Sequence, residues 1–152
     1  GVPNITSIMD CAKSDRDAVL IADGGIKNSG DICKALAAGA DFVMLGGMLA
    51  GHTESEGQEE EVDGEKYKTF YGMSSDTAMN KYHGGIASHR SSEGKTVRIK
   101  HRGLIKNTIQ SILGGLRSTC TYIGAKNLKD MPKCATFLRV NNQSNEVFGK
   151  NT

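Results

Sequence analysis

VLIADGGIKNSGDICKALAAGADFVMLGG (residues 19–47) contains two short apolar runs, VLIA at 19–22 and FVML at 42–45, and paired glycines follow each. An apolar run this short, without polar alternation, predicts a parallel strand covered on both faces. Between the runs, Asn28 or Ser29 can cap a helix, Ile32, Ala35 and Leu36 give it one apolar stripe, and Gly39 suits a left-handed stop. From strand to equivalent strand the repeat is about 23 residues, close to one β/α unit of a barrel. The expected fold is therefore α/β: the C-terminal portion of a (β/α)8 barrel, about strands 7 and 8, with flanking helices and a short flap.

Outward from this unit, Ile5, Ile8, Met9 and Cys11 to Ala12 fall at near-helical spacing and predict a helix over 4–13. After Gly51 the pattern dissolves into an acidic, glycine-containing loop, and YKTFYGMSS (67–75) reads as a hairpin arm or a loop. A polar, glycine-rich stretch continues to Gly94, and TVRIK (96–100) alternates as a partly exposed strand should. Ile105, Ile109, Ile112, Leu113 and Leu116 mark an amphipathic helix expected to end at a weak point, Gly114-Gly115. The tail from 126 is polar apart from FLRV. Two buried strands alone would leave bare edges and thin layers, so the chain reads as one part of a single barrel domain, with a flap or loop insertion at about 52–103 and six strands supplied elsewhere.

At 38% hydrophobic residues, the 152-residue chain can bury one modest core. It has no run of about eighteen apolar residues and no basic-then-apolar leader, so neither a membrane span nor a secretory signal is expected, and the expected location is cytoplasmic. Cys11, Cys33, Cys120 and Cys134 form no CxxC pair and have no histidine at zinc-ligand spacing, which favours buried, reduced thiols over a metal site. Net charge is only +2, with acids gathered at 54–65 (ESEGQEEEVDGE) and bases at 95–106 (KTVRIKHRGLIK). These read as two solvated segments of opposite sign, and no nucleic-acid partner is expected.

Paired glycines directly after successive parallel strands present backbone N–H groups with no Cβ in front of them, which suits a phosphate dianion. In barrels such a site is built by the loops after strands 7 and 8, where Gly24-Gly25 and Gly46-Gly47 would fall. Tight turns alone are the alternative. Asp23, at the end of the first strand, can accept hydrogen bonds from ribose hydroxyls or serve only as a turn residue.

Four strings, IADGGIKNSGDICKALAAGADFVMLGGMLAG (21–51), FYGMSSDTAMNKY (70–82), RSSEGKTV (90–97) and ILGGLRSTCTYIGA (112–125), resemble matching stretches of GMP reductases in the same order. That family shares its barrel with IMP dehydrogenase, and the resemblance covers nearly the whole chain. IMP dehydrogenases carry a long mobile flap with an Arg-Tyr pair that activates water. Here Arg90 is followed by Ser91, and the segment from Tyr71 to Arg90 has no room for such a flap.

The resemblance implies NADPH-dependent reductive deamination of GMP to IMP: a cysteine adds to purine C2, ammonia leaves, and hydride comes from NADPH. A thiolate suits this step because it is a strong nucleophile and a good leaving group. By resemblance, Asp23, Gly24, Gly25, Gly46 and Gly47 hold ribose and phosphate, Gly72, Met73 and Ser74 lie against the nucleotide, and Arg90, Ser91, Ser92, Glu93 and Gly94 close over the purine. Glu93 is the implied catalytic acid for the departing ammonia, paired in the family with a threonine of the cysteine loop. Met73, His89, Arg90, Ser118, Thr119, Cys120 and Thr121 are the implied NADPH contacts, the last four from a neighbouring subunit. His89 departs from the tyrosine expected at its position. None of the four cysteines occupies the nucleophile's loop, which is expected just before the helix at 4–13. Cys33 is expected in the core and Cys120 at the cofactor's border. The family also implies a homotetramer and admits a monovalent cation (K+) held mostly outside this chain. Two other readings are an IMP dehydrogenase-like enzyme with a shortened flap and an inactive nucleotide-binding fragment.

Several residues carry plainer expectations. His52, His83 and His101 read as surface or loop histidines, and Met44 and Met48 as packing residues. Lys95, Arg98, Lys100 and Arg102 read as a solvated strand face rather than as phosphate ligands.

Overall fold

The computed structural model describes residues 1–14, 17–72, 75–85 and 96–141. Its elements are α1 (Asn4–Ala12), β1 (Ile21–Ala22), α2 (Ser29–Ala37), β2 (Phe42–Val43), β3 (Glu59–Val62), β4 (Glu65–Phe70), α3 (Asp76–His83), β5 (Val97–Lys100), α4 (Ile105–Ile123), a 3-10 turn (Leu128–Asp130) and α5 (Met131–Cys134).

The β1–α2–β2 unit forms as the repeat predicts. The strands pair in parallel, with Ile21 opposite Phe42 and Ala22 opposite Val43. Pairing continues past these residues: Asp41 and Phe42 N–H donate to the Leu20 carbonyl at 2.9 and 3.2 Å, and Met44 N–H donates to Ala22 at 2.8 Å. Asn28 is the cap of α2, its Oδ1 accepting from Asp31 N–H at 3.0 Å, while Asp31 Oδ2 accepts from Lys27 N–H at 3.1 Å. Burial pushes the Asp31 carboxyl up, but the Lys27 N–H and the Lys34 ammonium hold it below its usual value. Gly39 follows the helix at φ 110°, and a Cβ there would come within 2.7 Å of Ala12 Cβ, so both conformation and close helix packing require glycine.

Coverage of both strand faces is corrected by the structure. Ala22 is buried in a cluster with Ile8, Ala35, Ala38 and Ala40, flanked by Leu20 and Val43. Val19, Ile21, Phe42 and Met44 occupy the opposite, exposed face, Phe42 at 60% of its area. Among the described residues the strand pair is thus covered by helices on one side only, and the other face is left open. Among the described residues no barrel closes; the second sheet is separate and antiparallel.

That sheet, in the order β3–β4–β5, corrects the reading of 54–66 as a loop. Asp63 (φ 55°) and Gly64 (φ 79°) make the tight turn between β3 and β4, a left-handed pair of the kind that matches strand twist in short hairpins. The acidic and basic segments also do not stand apart. Arg98 pairs with Glu60 at 2.9 Å, Lys100 with Glu65, and Lys68 lies 3.8 Å from Glu59. Charge runs that look like solvated tails in sequence are cross-strand partners in this sheet.

Helix α4 runs through Gly114-Gly115 to Ile123, which overturns the expected stop. Two glycines weaken a helix but do not end it when packing holds both sides. Leu116, Cys120 and Ile123 pack on Cys33, Ala37 and Met131, and at Gly115 a Cβ would sit 2.9 Å from Ser29 Cβ. At Gly114 a Cβ would meet nothing within 4 Å. Gly114→Ala is therefore expected to stabilise by up to about 1 kcal/mol through helix propensity. Gly115→Ala should lose about 1–3 kcal/mol to overpacking, more than its propensity gain. Urea unfolding of both variants tests the pair, and equal effects would show that α4 does not seat on Ser29.

The N-terminus of α4 has no side-chain cap of its own, but Glu54 supplies one from the loop, accepting from Ile105 N–H at 2.9 Å. This hydrogen bond, before any other influence, holds the Glu54 carboxyl below its ordinary value. A depressed carboxyl stabilises the fold above its unfolded-state pKa, and that contribution disappears as pH falls through the folded value. Glu54→Gln should flatten the acid side of the stability–pH curve, as read by urea midpoints above and below the carboxylate range.

Candidate functional site

Both glycine pairs leave the C-terminal ends of adjacent parallel strands, so β1 and β2 bring their loops to one rim. Gly24 (φ 92°) and Gly25 (φ 74°) are left-handed, which itself favours glycine. Asn4 of α1 braces this loop from behind, its Nδ2 donating to the Gly24 carbonyl at 2.6 Å. Asp23 is exposed beside it.

Gly46 and Gly47 differ. Neither has a positive φ, and a Cβ on either would meet nothing within 4 Å among the described residues. Neither backbone conformation nor internal packing asks for glycine there. The turn is closed by Leu49 N–H donating to Gly46 at 2.9 Å, and Arg102 reaches across to donate to the carbonyls of Gly47 (3.1 Å) and Met48 (3.4 Å).

Beside Gly46 lies a cleft of about 220 Å3 lined also by Leu49, Glu56, Phe70, Tyr71 and Tyr82. At its edge Tyr82 hydroxyl donates to Glu56 at 2.7 Å and Lys81 donates to the Tyr71 hydroxyl at 3.2 Å. Hydrogen bonding with Tyr82 and then with Lys81 draws the Tyr71 hydroxyl below its usual value. Gly72, half-buried, continues from this edge. Met73, Ser74, His89, Arg90, Ser91, Ser92, Glu93 and Gly94 lie outside the described residues, as do Lys95 and the His83 side chain.

Ser118, Thr119, Cys120 and Thr121 sit together on α4 but divide by face. Thr119 hydroxyl donates to Gly115 O at 2.9 Å and lies 3.1 Å from Cys33 Sγ, and Cys120 packs in the α2–α4 core. Ser118 and Thr121 face outward. Cys33 is buried, as expected of a core residue, whereas Cys11 and Cys134 are exposed, which corrects the expectation of four buried thiols.

His52 is a correction. It is not a surface histidine but fully buried, with Nδ1 3.0 Å from the Leu49 carbonyl and Nε2 2.6 Å from Thr108 Oγ1. In the neutral ring Nδ1 must donate, since a carbonyl only accepts, and Nε2 then accepts from Thr108. His101 is half-buried and accepts from Gly103 N–H through Nδ1. Met44 is exposed rather than packed, while Met48 is half-buried. Arg98 and Lys100 form the solvated strand face expected of them, exposed while pairing with Glu60 and Glu65, and Arg102 reaches the Gly47 loop. These partners come from distant parts of the chain, and no local pattern in the sequence announces them. A lysine or histidine flanked by loop residues carries no periodicity to mark it as buried.

The described residues form a mixed α/β unit that turns paired glycines to one rim, and residues 1–147 match the IMP dehydrogenase / GMP reductase domain family. The chain belongs to that family. It is 54% identical over 152 residues to the GMP reductase of Vibrio atlanticus (strain LGP32), covering 99% of this chain and 44% of that protein. It is 55% identical over 151 residues to GMP reductase 1 of Mus musculus (98% and 44%), and 53% identical over 152 residues to GMP reductase 2 of Homo sapiens (99% and 44%). The chain thus spans less than half the length of these curated relatives.

Proposed function

We propose that this chain forms the phosphate side of a GMP reductase, in which GMP, NADPH and two protons give IMP, NADP+ and ammonium. The observation that carries the reading is the open Gly46-Gly47 turn, where nothing among the described residues asks for glycine and an approaching anion would. Gly24 and Gly25 complete the phosphate site, Asp23 takes the ribose hydroxyls, and Gly72, Met73 and Ser74 lie along the nucleotide. Arg90 to Gly94 close over the purine, with Glu93 giving the proton to the leaving ammonia.

NADPH, when bound, supplies the hydride. On α4 the residues that fit it are Ser118 and Thr121, which are exposed, whereas Thr119 lies against Cys33 Sγ and Cys120 packs in the α2–α4 core; Met73, His89 and Arg90 complete the proposed NADPH contacts. The activity belongs to the complete protein, proposed as a cytoplasmic homotetramer with any K+ site mostly outside this chain. Among the described residues no helix is long and apolar enough to cross a membrane.

The test is GMP-dependent NADPH consumption with IMP and ammonium as products. Conversion of IMP to xanthosine monophosphate with NAD+ would replace this reading by the dehydrogenase, and nucleotide binding without turnover would leave only a binding protein.

A further inference from the structure

Three backbone carbonyls close on the side chain of Lys68. Its Nζ donates to His52 at 2.9 Å, Thr53 at 3.1 Å and Ser55 at 2.6 Å, and its residue is only 4% exposed. Three donors meet three acceptors, and only an ammonium has three hydrogens to give. The His52 carbonyl also accepts from Ser55 N–H at 3.1 Å and Ser55 Oγ at 2.8 Å, and the ammonium adds a fixed cation that ties it to the Thr53 and Ser55 carbonyls. At the other end of the same loop Arg102 holds the carbonyls of Gly47 and Met48.

A trans peptide points its C=O and N–H in opposite directions. Turning the Gly47 carbonyl toward Arg102 therefore sends the Met48 N–H away from the guanidinium. Burial keeps Lys68 from reaching a ligand itself, while the exposed Arg102 gives one of its three guanidinium nitrogens, Nη1, to the loop carbonyls.

We infer that Lys68 and Arg102 are positioning residues for the nucleotide phosphate, two fixed cations that hold segment 47–55 by its carbonyls and leave the Gly46-Gly47 turn set to receive an anion. The inference rests on the phosphate reading of that turn. Lys68 and Arg102 act through the backbone, so their effect depends on the phosphate and not on the base or ribose.

The experiment compares dissociation constants of IMP and inosine for the complete enzyme and its Lys68→Met and Arg102→Met variants. Each variant is expected to weaken IMP by about 10- to 100-fold, the range for one hydrogen-bonded charged group, and inosine by much less. Equal weakening of both ligands would show a general structural role and overturn the inference, as would an unchanged preference for IMP. Should Lys68→Met fail to fold, the exposed Arg102 decides by the same ratio. A parent enzyme that does not prefer IMP to inosine would sink the phosphate reading itself, a result distinct from failure of the variants alone.

Discussion

In the complete enzyme, Glu93→Gln is expected to slow release of ammonia from GMP by about 10² to 10⁴, the usual worth of a positioned general acid. The substitution keeps the size and hydrogen-bonding shape of the side chain and removes only the exchangeable proton. An amine leaves carbon poorly unless protonated, whereas hydride transfer needs no proton from a carboxyl. The two halves of the reaction should therefore separate. NADPH formation from IMP and NADP+, which involves no ammonia, should be largely spared, and GMP affinity should change much less than turnover. If Glu93 merely anchors its segment, both partial reactions and nucleotide affinity fall together, and that pattern removes it from catalysis.

Gly46→Val is expected to raise the dissociation constant for IMP by about 10² or more while leaving the unfolding midpoint nearly unchanged. The separation follows from the local geometry. Gly46 has no positive φ, and among the described residues no atom lies within 4 Å of where a Cβ would stand, so a side chain begins there without backbone strain or close contact. What it obstructs is the approach of an anion to the turn's amides, and hydrogen bonds to a charged group are worth about 1.5–3 kcal/mol each. Isothermal calorimetry with IMP beside a urea titration measures both. A variant that loses stability but keeps its affinity would mean that the glycines serve the fold alone.

The parts of the molecule legible in sequence are those whose signals are local. The helix over 4–13, the Asn28 cap, the left-handed Gly39 and the parallel pairing of 19–22 with 42–45 all rest on neighbours within one β/α repeat. The errors arose where distant segments decide. Glu59 to Val62 form a strand because β4 pairs with them and bases on β4 and β5 meet their charge; alone, EEEV has little strand preference. The Gly114-Gly115 step stays helical because Ser29 packs against it, a contact across some eighty residues of chain. His52 and Lys68 look like ordinary loop and strand residues until Thr108 and the 52–55 carbonyls enclose them. The pairing of β1 with β2 brings the loops of Asp23 and the two glycine pairs to one rim, while Arg102 and Asn4, which brace those loops, have no signature in the sequence.

The uncovered face formed by Val19, Ile21, Phe42 and Met44 bears on how this unit behaves in solution. Oily side chains exposed in a row invite neighbouring chains to cover them. Expressed without further strands to lie against it, the 152-residue polypeptide should therefore become turbid in proportion to its concentration, and Phe42→Lys, placing a charge in the middle of that row, should delay the onset.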